Sequence, residues 1–180
     1  MVSKSGRRFV IWGPPGSGKS TLAQEISRRT GLPCIELDAI FWLPGWEQKP
    51  REEFRADVSA TLNKYPDGWV CDGNQQSRLS DIVLPLADTV VWCGTPFPAA
   101  FWRLLKRTIA RCWDGKLLWG TNRESWQQTF LSRDSLILYQ LTHWRSYQRR
   151  GRSLEEIPHH PSVIRLRSQK EVDAFLGELG

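Results

Sequence analysis

Gly13-Pro14-Pro15-Gly16-Ser17-Gly18-Lys19-Ser20 decides how the rest of the chain is read, because it satisfies the spacing G-x-x-x-x-G-K-[ST] where an apolar run gives way to a helical one. Glycines at 13, 16 and 18 open backbone conformations closed to residues with a Cβ, so successive N–H groups can turn inward around the α- and β-phosphates of a nucleotide. Lys19 supplies a positive charge for the β- and γ-phosphates, the Ser20 hydroxyl suits Mg²⁺, and Thr21 follows in the first helical turn, where the helix dipole favours anions. The flanks agree. Arg7 to Trp12 reads as a buried parallel strand, and Leu22, Ala23 and Ile26 give the next segment one apolar helical face.

From this loop the pattern extends outward as alternating strands and helices. Expected strands are Cys34 to Asp38, Trp69 to Cys71, Thr89 to Cys93 and Ser162 to Leu166; expected helices are Pro50 to Lys64, Leu79 to Leu84, Pro98 to Trp113 and Gln169 to Leu179. Ala39 to Lys49 reads as an aromatic loop and Lys116 to Asn122 as a second loop. Arg123 to Tyr147 reads as mostly helical, and Arg149 to Pro161 as a connector without periodicity. The expected fold class is α/β: a P-loop NTPase, three-layer αβα, with a five-stranded parallel sheet of the nucleoside monophosphate kinase type. The whole of 1–180 is expected to be one domain, carrying a helical lid insert at about 98–150.

Charge locates the insert more sharply than composition does. The chain of 180 residues has a net charge of +6, yet residues 101–152 hold 11 Lys and Arg against 3 Asp and Glu. A concentrated basic region can bind nucleic acid or line a cleft for triphosphates, and a phosphate loop in the same domain favours the cleft. Cys34, Cys71, Cys93 and Cys112 are scattered, three of them in expected strands, which suggests neither a zinc pair nor a disulfide framework. No apolar run approaches membrane-spanning length and no leader core precedes the first strand, so a cytoplasmic protein without membrane attachment is expected.

In parallel sheets ligands bind beyond the carboxyl ends of the strands, so the residues there carry the chemistry. Asp72, after three apolar strand residues and before Gly73, is the candidate to hold Mg²⁺ or its waters, with a turn-forming Asp-Gly as the alternative. Asp38, with Glu36 two residues earlier on the same strand face, could orient an acceptor hydroxyl or take its proton; a turn role is the competing reading. The aromatic run containing Trp42 could stack on an acceptor or simply pack a long loop. Arg103, Arg107 and Arg111 recur every four residues, and Arg123, Arg133 and Arg145 follow; such guanidinium groups can stabilise a transferring phosphoryl group or form a solvated basic face.

These motifs resemble the adenylate kinase-like P-loop kinases, and within them the subgroup of DNA topology modulation proteins. The likeness rests on G-P-P-G-S-G-K-S-T at 13–21, L-D-A-I-F-W-L-P-G-W at 37–46, W-V-C-D-G-N at 69–74, A-D-T-V-V-W at 87–92, S-R-D-S at 132–135 and L-R-S-Q-K-E-V at 166–172, and it covers nearly the whole chain. The resemblance implies an ATP- and Mg²⁺-dependent small-molecule kinase. In it Asp72 is the acid of the D-G motif, Arg78 an acceptor-side arginine, Arg133 a lid-side catalytic arginine, and Arg167 with Ser168 the adenine contact. Together with the residue readings above, the expected catalytic set is Lys19, Asp38, Arg107 and Arg133, with Gly13 to Thr21, Arg103 and Arg167 on the nucleotide, Ser20 and Asp72 on the metal, and Asp38, Trp42 and Arg78 facing the acceptor. Two departures stand out. Asn74-Gln75-Gln76-Ser77 replaces the aromatic, proline and arginine that usually follow D-G in nucleoside monophosphate kinases. Glu36 and Asp38 put negative charge where a monophosphate would bring more, so a hydroxyl-bearing acceptor stands at least level with a nucleotide. A nucleic-acid-associated ATP-binding regulator is the alternative, and no nucleic-acid motif favours it.

Overall fold

A computed structural model describes residues 6–115, 117–124, 126, 136–154 and 161–179. In chain order these form β1 (Arg8–Trp12), α1 (Lys19–Thr30), β2 (Cys34–Glu36), α2 (Leu37–Phe41), α3 (Arg51–Asn63), β3 (Trp69–Asp72), α4 (Gln76–Val83), β4 (Thr89–Cys93), α5 (Phe97–Asp114), β5 (Leu117–Leu118), β6 (Asn122–Arg123), α6 (Leu136–Ser153), β7 (Ser162–Leu166) and α7 (Gln169–Gly177). Among the described residues the main sheet has five strands, all parallel, in the order β2-β3-β1-β4-β7.

Alternation along β1 explains the two-sided core. Val10 and Trp12 point to one face, with Phe54, Val58, Leu79, Trp92 and Tyr147; Phe9 and Ile11 point to the other, with Leu22, Ala23, Ile26, Phe175 and Leu176. Strands covered on both faces read as continuous apolar runs, and helices lie on both sides of this sheet. The result is the three-layer αβα fold expected of a P-loop kinase-like chain.

Several boundaries differ from the sequence reading for local reasons. β2 ends at Glu36, and residues 37–41 wind into α2, so Asp38 stands in a helical turn and not on the strand face shared with Glu36. Leu37 and Phe41, four residues apart and both buried, give that turn its inward face. The expected loop at 116–122 contains a two-stranded antiparallel hairpin, which places Arg123 on β6 and not in a helix. α6 runs to Ser153, past the start of the expected connector. Arg149, Arg150 and Gly151 look like a polar break, yet Tyr147 and Leu154 are buried seven residues apart, and a Cβ on Gly151 would come within 2.5 Å of the Trp92 ring. The missing side chain is what lets that helix lie against the sheet. Arg133 and the S-R-D-S motif lie outside the described residues.

Candidate active site

The phosphate loop is shaped by its glycines and by what presses on them. Gly16 has φ +73, and a Cβ there would sit 2.1 Å from the backbone oxygen of Ala100 in α5, so only glycine fits. Gly18, at φ +91, ends the loop as the N-cap of α1, which starts at Lys19 and leaves its first N–H groups facing the loop. The Thr95 hydroxyl donates to the Ser17 carbonyl at 2.9 Å. Ser17 Oγ is itself buried without a protein partner.

Asp72, 6% exposed, closes the carboxyl end of β3 beside the loop, close to the Ser20 side chain and with Oδ1 unpartnered. Burial pushes its carboxyl above the usual carboxylate range; Lys19 and Ser20 pull the other way, while Asp38 and Glu36 add to the rise. A hydroxyl and a carboxylate form a hard oxygen pair of the kind Mg²⁺ takes from proteins, the phosphates and waters completing its shell, so the residues fit that ion. Arg107 on α5 is half-buried, its Nε without a partner, and its guanidinium is held below its ordinary value by burial and then by Arg111, against opposing pulls from Glu124, Asp38 and Asp72. Lys19, Ser20, Asp38 and Arg107 therefore all lie within electrostatic reach of Asp72.

The other positions divide. Arg103 lies over the loop, its Nη1 3.7 Å from where a Cβ of Gly18 would be. Arg167 follows β7 with its side chain against Gly94, at the edge of the same face. Arg111 is not free for a ligand, since it pairs with Glu124 at 3.0 Å. Arg78 donates to Gln48 Oε1 at 3.1 Å and covers the Phe41 ring at 5.0 Å, which places it on the aromatic loop and not beside Lys19. Asp38 has one weak contact, from Gln75 Nε2 at 3.5 Å, and among the described residues neither it nor Glu36 has a cationic ion-pair partner.

Trp42 belongs to a ladder of rings: Phe54 to Phe41 at 5.1 Å, Phe41 to Trp42 at 4.9 Å, Trp42 to Trp46 at 5.5 Å, and Trp46 to Trp119 at 5.9 Å. The last step crosses from the aromatic loop to the β5–β6 hairpin of the insert. Asn122, 1% exposed, accepts from the Trp46 N–H at 2.9 Å and donates to the Leu43 carbonyl at 3.0 Å, while Trp46 Nε1 donates to the Arg123 carbonyl at 2.9 Å. Trp119 Nε1 donates to Glu36 Oε2 at 3.3 Å, so the hairpin rests directly on an acceptor-side carboxylate. Among the described residues Trp46 and Trp119 are the two non-glycines with positive φ, at 63° and 49°, a conformation that costs energy and persists only where neighbours enforce it. Sequence reasoning passed over Thr95, Trp119 and Asn122; only the tertiary contact gives them a role.

Two expected outcomes follow from these contacts. Asn122→Ala leaves the Trp46 N–H and Leu43 carbonyl without their partner, at a cost of about 1–3 kcal/mol, read as a lower urea midpoint; an unchanged midpoint would mean the hairpin does not rest on the loop in solution. Asp72 destabilises the unliganded fold as pH rises from the ordinary carboxylate range through its own elevated value, because the folded state holds its proton longer than the unfolded chain does. Asp72→Asn is therefore expected to melt a few degrees above the parent at pH 8 without nucleotide, the gap shrinking toward pH 4; a lower melt at pH 8 would mean that the carboxylate is satisfied.

A five-stranded parallel sheet with a glycine-rich loop leading into α1 defines a P-loop protein of kinase-like architecture. Residues 9–64 match the model of the ATPase family associated with various cellular activities (AAA). The full-length likeness is to kinases. A sugar kinase from Janibacter sp. HTCC2649 superposes with a TM-score of 0.56 at 18% identity, covering 96% of this chain and 93% of that one. Shikimate kinase from Bacteroides thetaiotaomicron superposes at 0.55 and 14% identity, covering 96% of each. At these identities the likeness is one of fold. No curated protein matches the chain by sequence. No helix among the described residues is long and apolar enough to cross a membrane.

Proposed function

We propose that the chain is an ATP- and Mg²⁺-dependent phosphotransferase that passes the γ-phosphoryl group to a hydroxyl group of a small molecule. Its motifs place it by resemblance among the adenylate kinase-like P-loop kinases, near the topology modulation subgroup. The observation that carries the reading is that Lys19, Ser20, Asp38 and Arg107 all lie within electrostatic reach of Asp72 beside the phosphate loop.

Each residue then has a defined task. Amides of residues 13–20, Lys19 and Arg103 hold the triphosphate. Ser20 and Asp72 hold the metal, which when bound neutralises charge on the phosphates. Asp38 takes the proton of the acceptor hydroxyl as its oxygen bonds to the γ-phosphorus and the bond from that phosphorus to the β–γ bridging oxygen breaks, leaving ADP. Arg107 faces the charge that spreads over the equatorial oxygens, and the hairpin keeps water out. Arg133 would add a second cation from the insert.

The acceptor carries no phosphate of its own. Glu36 and Asp38 lack cationic ion-pair partners among the described residues, Arg78 is occupied on the aromatic loop, and a phosphomonoester brought against two carboxylates meets like charge. Trp42 and its neighbours, packed edge to face, give an apolar wall suited to a carbon skeleton. Labelled ATP and magnesium incubated with sugars, cyclic hydroxy acids, nucleosides and nucleoside monophosphates test this directly. Transfer to a hydroxyl compound is expected. Transfer confined to monophosphates would overturn the acceptor class, and ATP binding with no transfer to any compound would overturn the activity.

A further inference from the structure

The first residue of the phosphate loop is held by a side chain that the loop motif does not contain. Asn74, two residues past the end of β3, uses both ends of its amide on one residue: its Oδ1 accepts from the Gly13 N–H at 3.2 Å, and its Nδ2 donates to the Gly13 carbonyl. The pairing fixes the amide's orientation, since a flipped Asn would set oxygen against oxygen and N–H against N–H. A Cβ on Gly13 would collide with Ser17 Oγ at 2.7 Å and the Cys93 carbonyl at 2.8 Å, so the residue is wedged between loop and β4 with Asn74 on its open side.

We infer that Asn74 is a positioning residue that sets the entry angle of the phosphate loop. The inference rests on the nucleotide-binding reading above for its functional consequence, and on the Gly13 contacts for its geometry. Both ends of the Asn74 amide are spent on the main chain of Gly13, so its influence on a bound nucleotide passes through the loop. It fixes the Gly13 peptide groups and leaves the amides further along the loop to point inward. Because Asn74 follows the metal-side Asp72 by two residues, one short segment aligns both the metal ligand and the loop.

Calorimetric titration of MgATP into the full chain and its Asn74→Ala and Asn74→Asp variants, together with hydrogen exchange at the Gly13 amide, tests the inference. Asn74→Ala is expected to weaken MgATP binding about tenfold, the effect of losing a paired backbone contact. Asn74→Asp should weaken it further, because it sets an anionic oxygen against the Gly13 carbonyl. Gly13 exchange should quicken in both Asn74 variants while Ile11 and Val91, on the neighbouring strands, stay protected. A strut for the fold alone would instead lower the melting temperature with unchanged MgATP affinity, and that result overturns the inference. Should the parent chain fail to bind MgATP, the phosphotransferase reading falls, and Gly13 exchange still decides this one: unaltered exchange in Asn74→Ala refutes it.

Discussion

Lys19→Ala is expected to reduce phosphoryl transfer by about a thousandfold or more while leaving the melting temperature within a few degrees of the parent. Lys19 opens α1 next to a loop held by Asn74, Thr95 and its own main chain, so removing its ammonium leaves the cradle intact but strips the charge that the β- and γ-phosphates require. It also exerts the largest favourable pull on the buried Asp72 carboxyl, so its loss pushes that acid still higher and weakens the metal side. Both effects act on chemistry and neither acts on the core, because Lys19 packs in neither apolar cluster. Turnover is measured by release of ADP dependent on acceptor, and folding by circular dichroism. Parent-level turnover in this variant would remove the basis for the proposed activity.

The second large effect is expected from Arg107→Met, which keeps length and apolar contact but removes the charge. The guanidinium is half-buried, with an unpartnered Nε, held beside Asp38 and Asp72 and against the like charge of Arg111. Keeping a cation there is unfavourable in the resting state, and that cost is recovered only when negative charge arrives between the loop and Asp38. Turnover should fall about a hundredfold or more, with MgATP affinity changed less than tenfold. The unliganded variant should be at least as stable as the parent, since an uncompensated buried charge has gone. A variant that loses affinity and turnover equally would make Arg107 a ground-state contact.

The nucleotide half of this molecule was legible because its chemistry is local. A contiguous motif at 13–20, apolar runs at β1, β3 and β4, and Asp72 at a strand end place the loop and the metal side without knowledge of any distant contact. The acceptor half was not, because it is assembled across long sequence separations. Asn122 meets Leu43 and Trp46 from nearly eighty residues away, and nothing in Thr121-Asn122-Arg123 alone announces a buried amide. Asp38 was seen as important but placed on a strand, since Ile35 and Leu37 alternate with Glu36 and Asp38 as a strand would, and only the burial of Leu37 with Phe41 turns the chain into a helix there. The regular spacing of Arg103, Arg107 and Arg111 suggested one shared purpose, whereas α5 gives each a different neighbour: the loop, the site interior and Glu124. Asn74 appeared in the sequence as the end of W-V-C-D-G-N and as the start of a departure from the kinase pattern, and neither points to Gly13.

The crossing of Trp46 and Trp119, with ring centres 5.9 Å apart and planes at 84°, also gives the protein an optical gauge of its own. Two indoles so close and so inclined couple their strong transitions, so the far-ultraviolet dichroism of the native chain is expected to carry a couplet whose amplitude tracks the separation of hairpin and loop. Opening of the acceptor side can thus be followed in real time on the unlabelled protein, with Trp119→Phe as the blank.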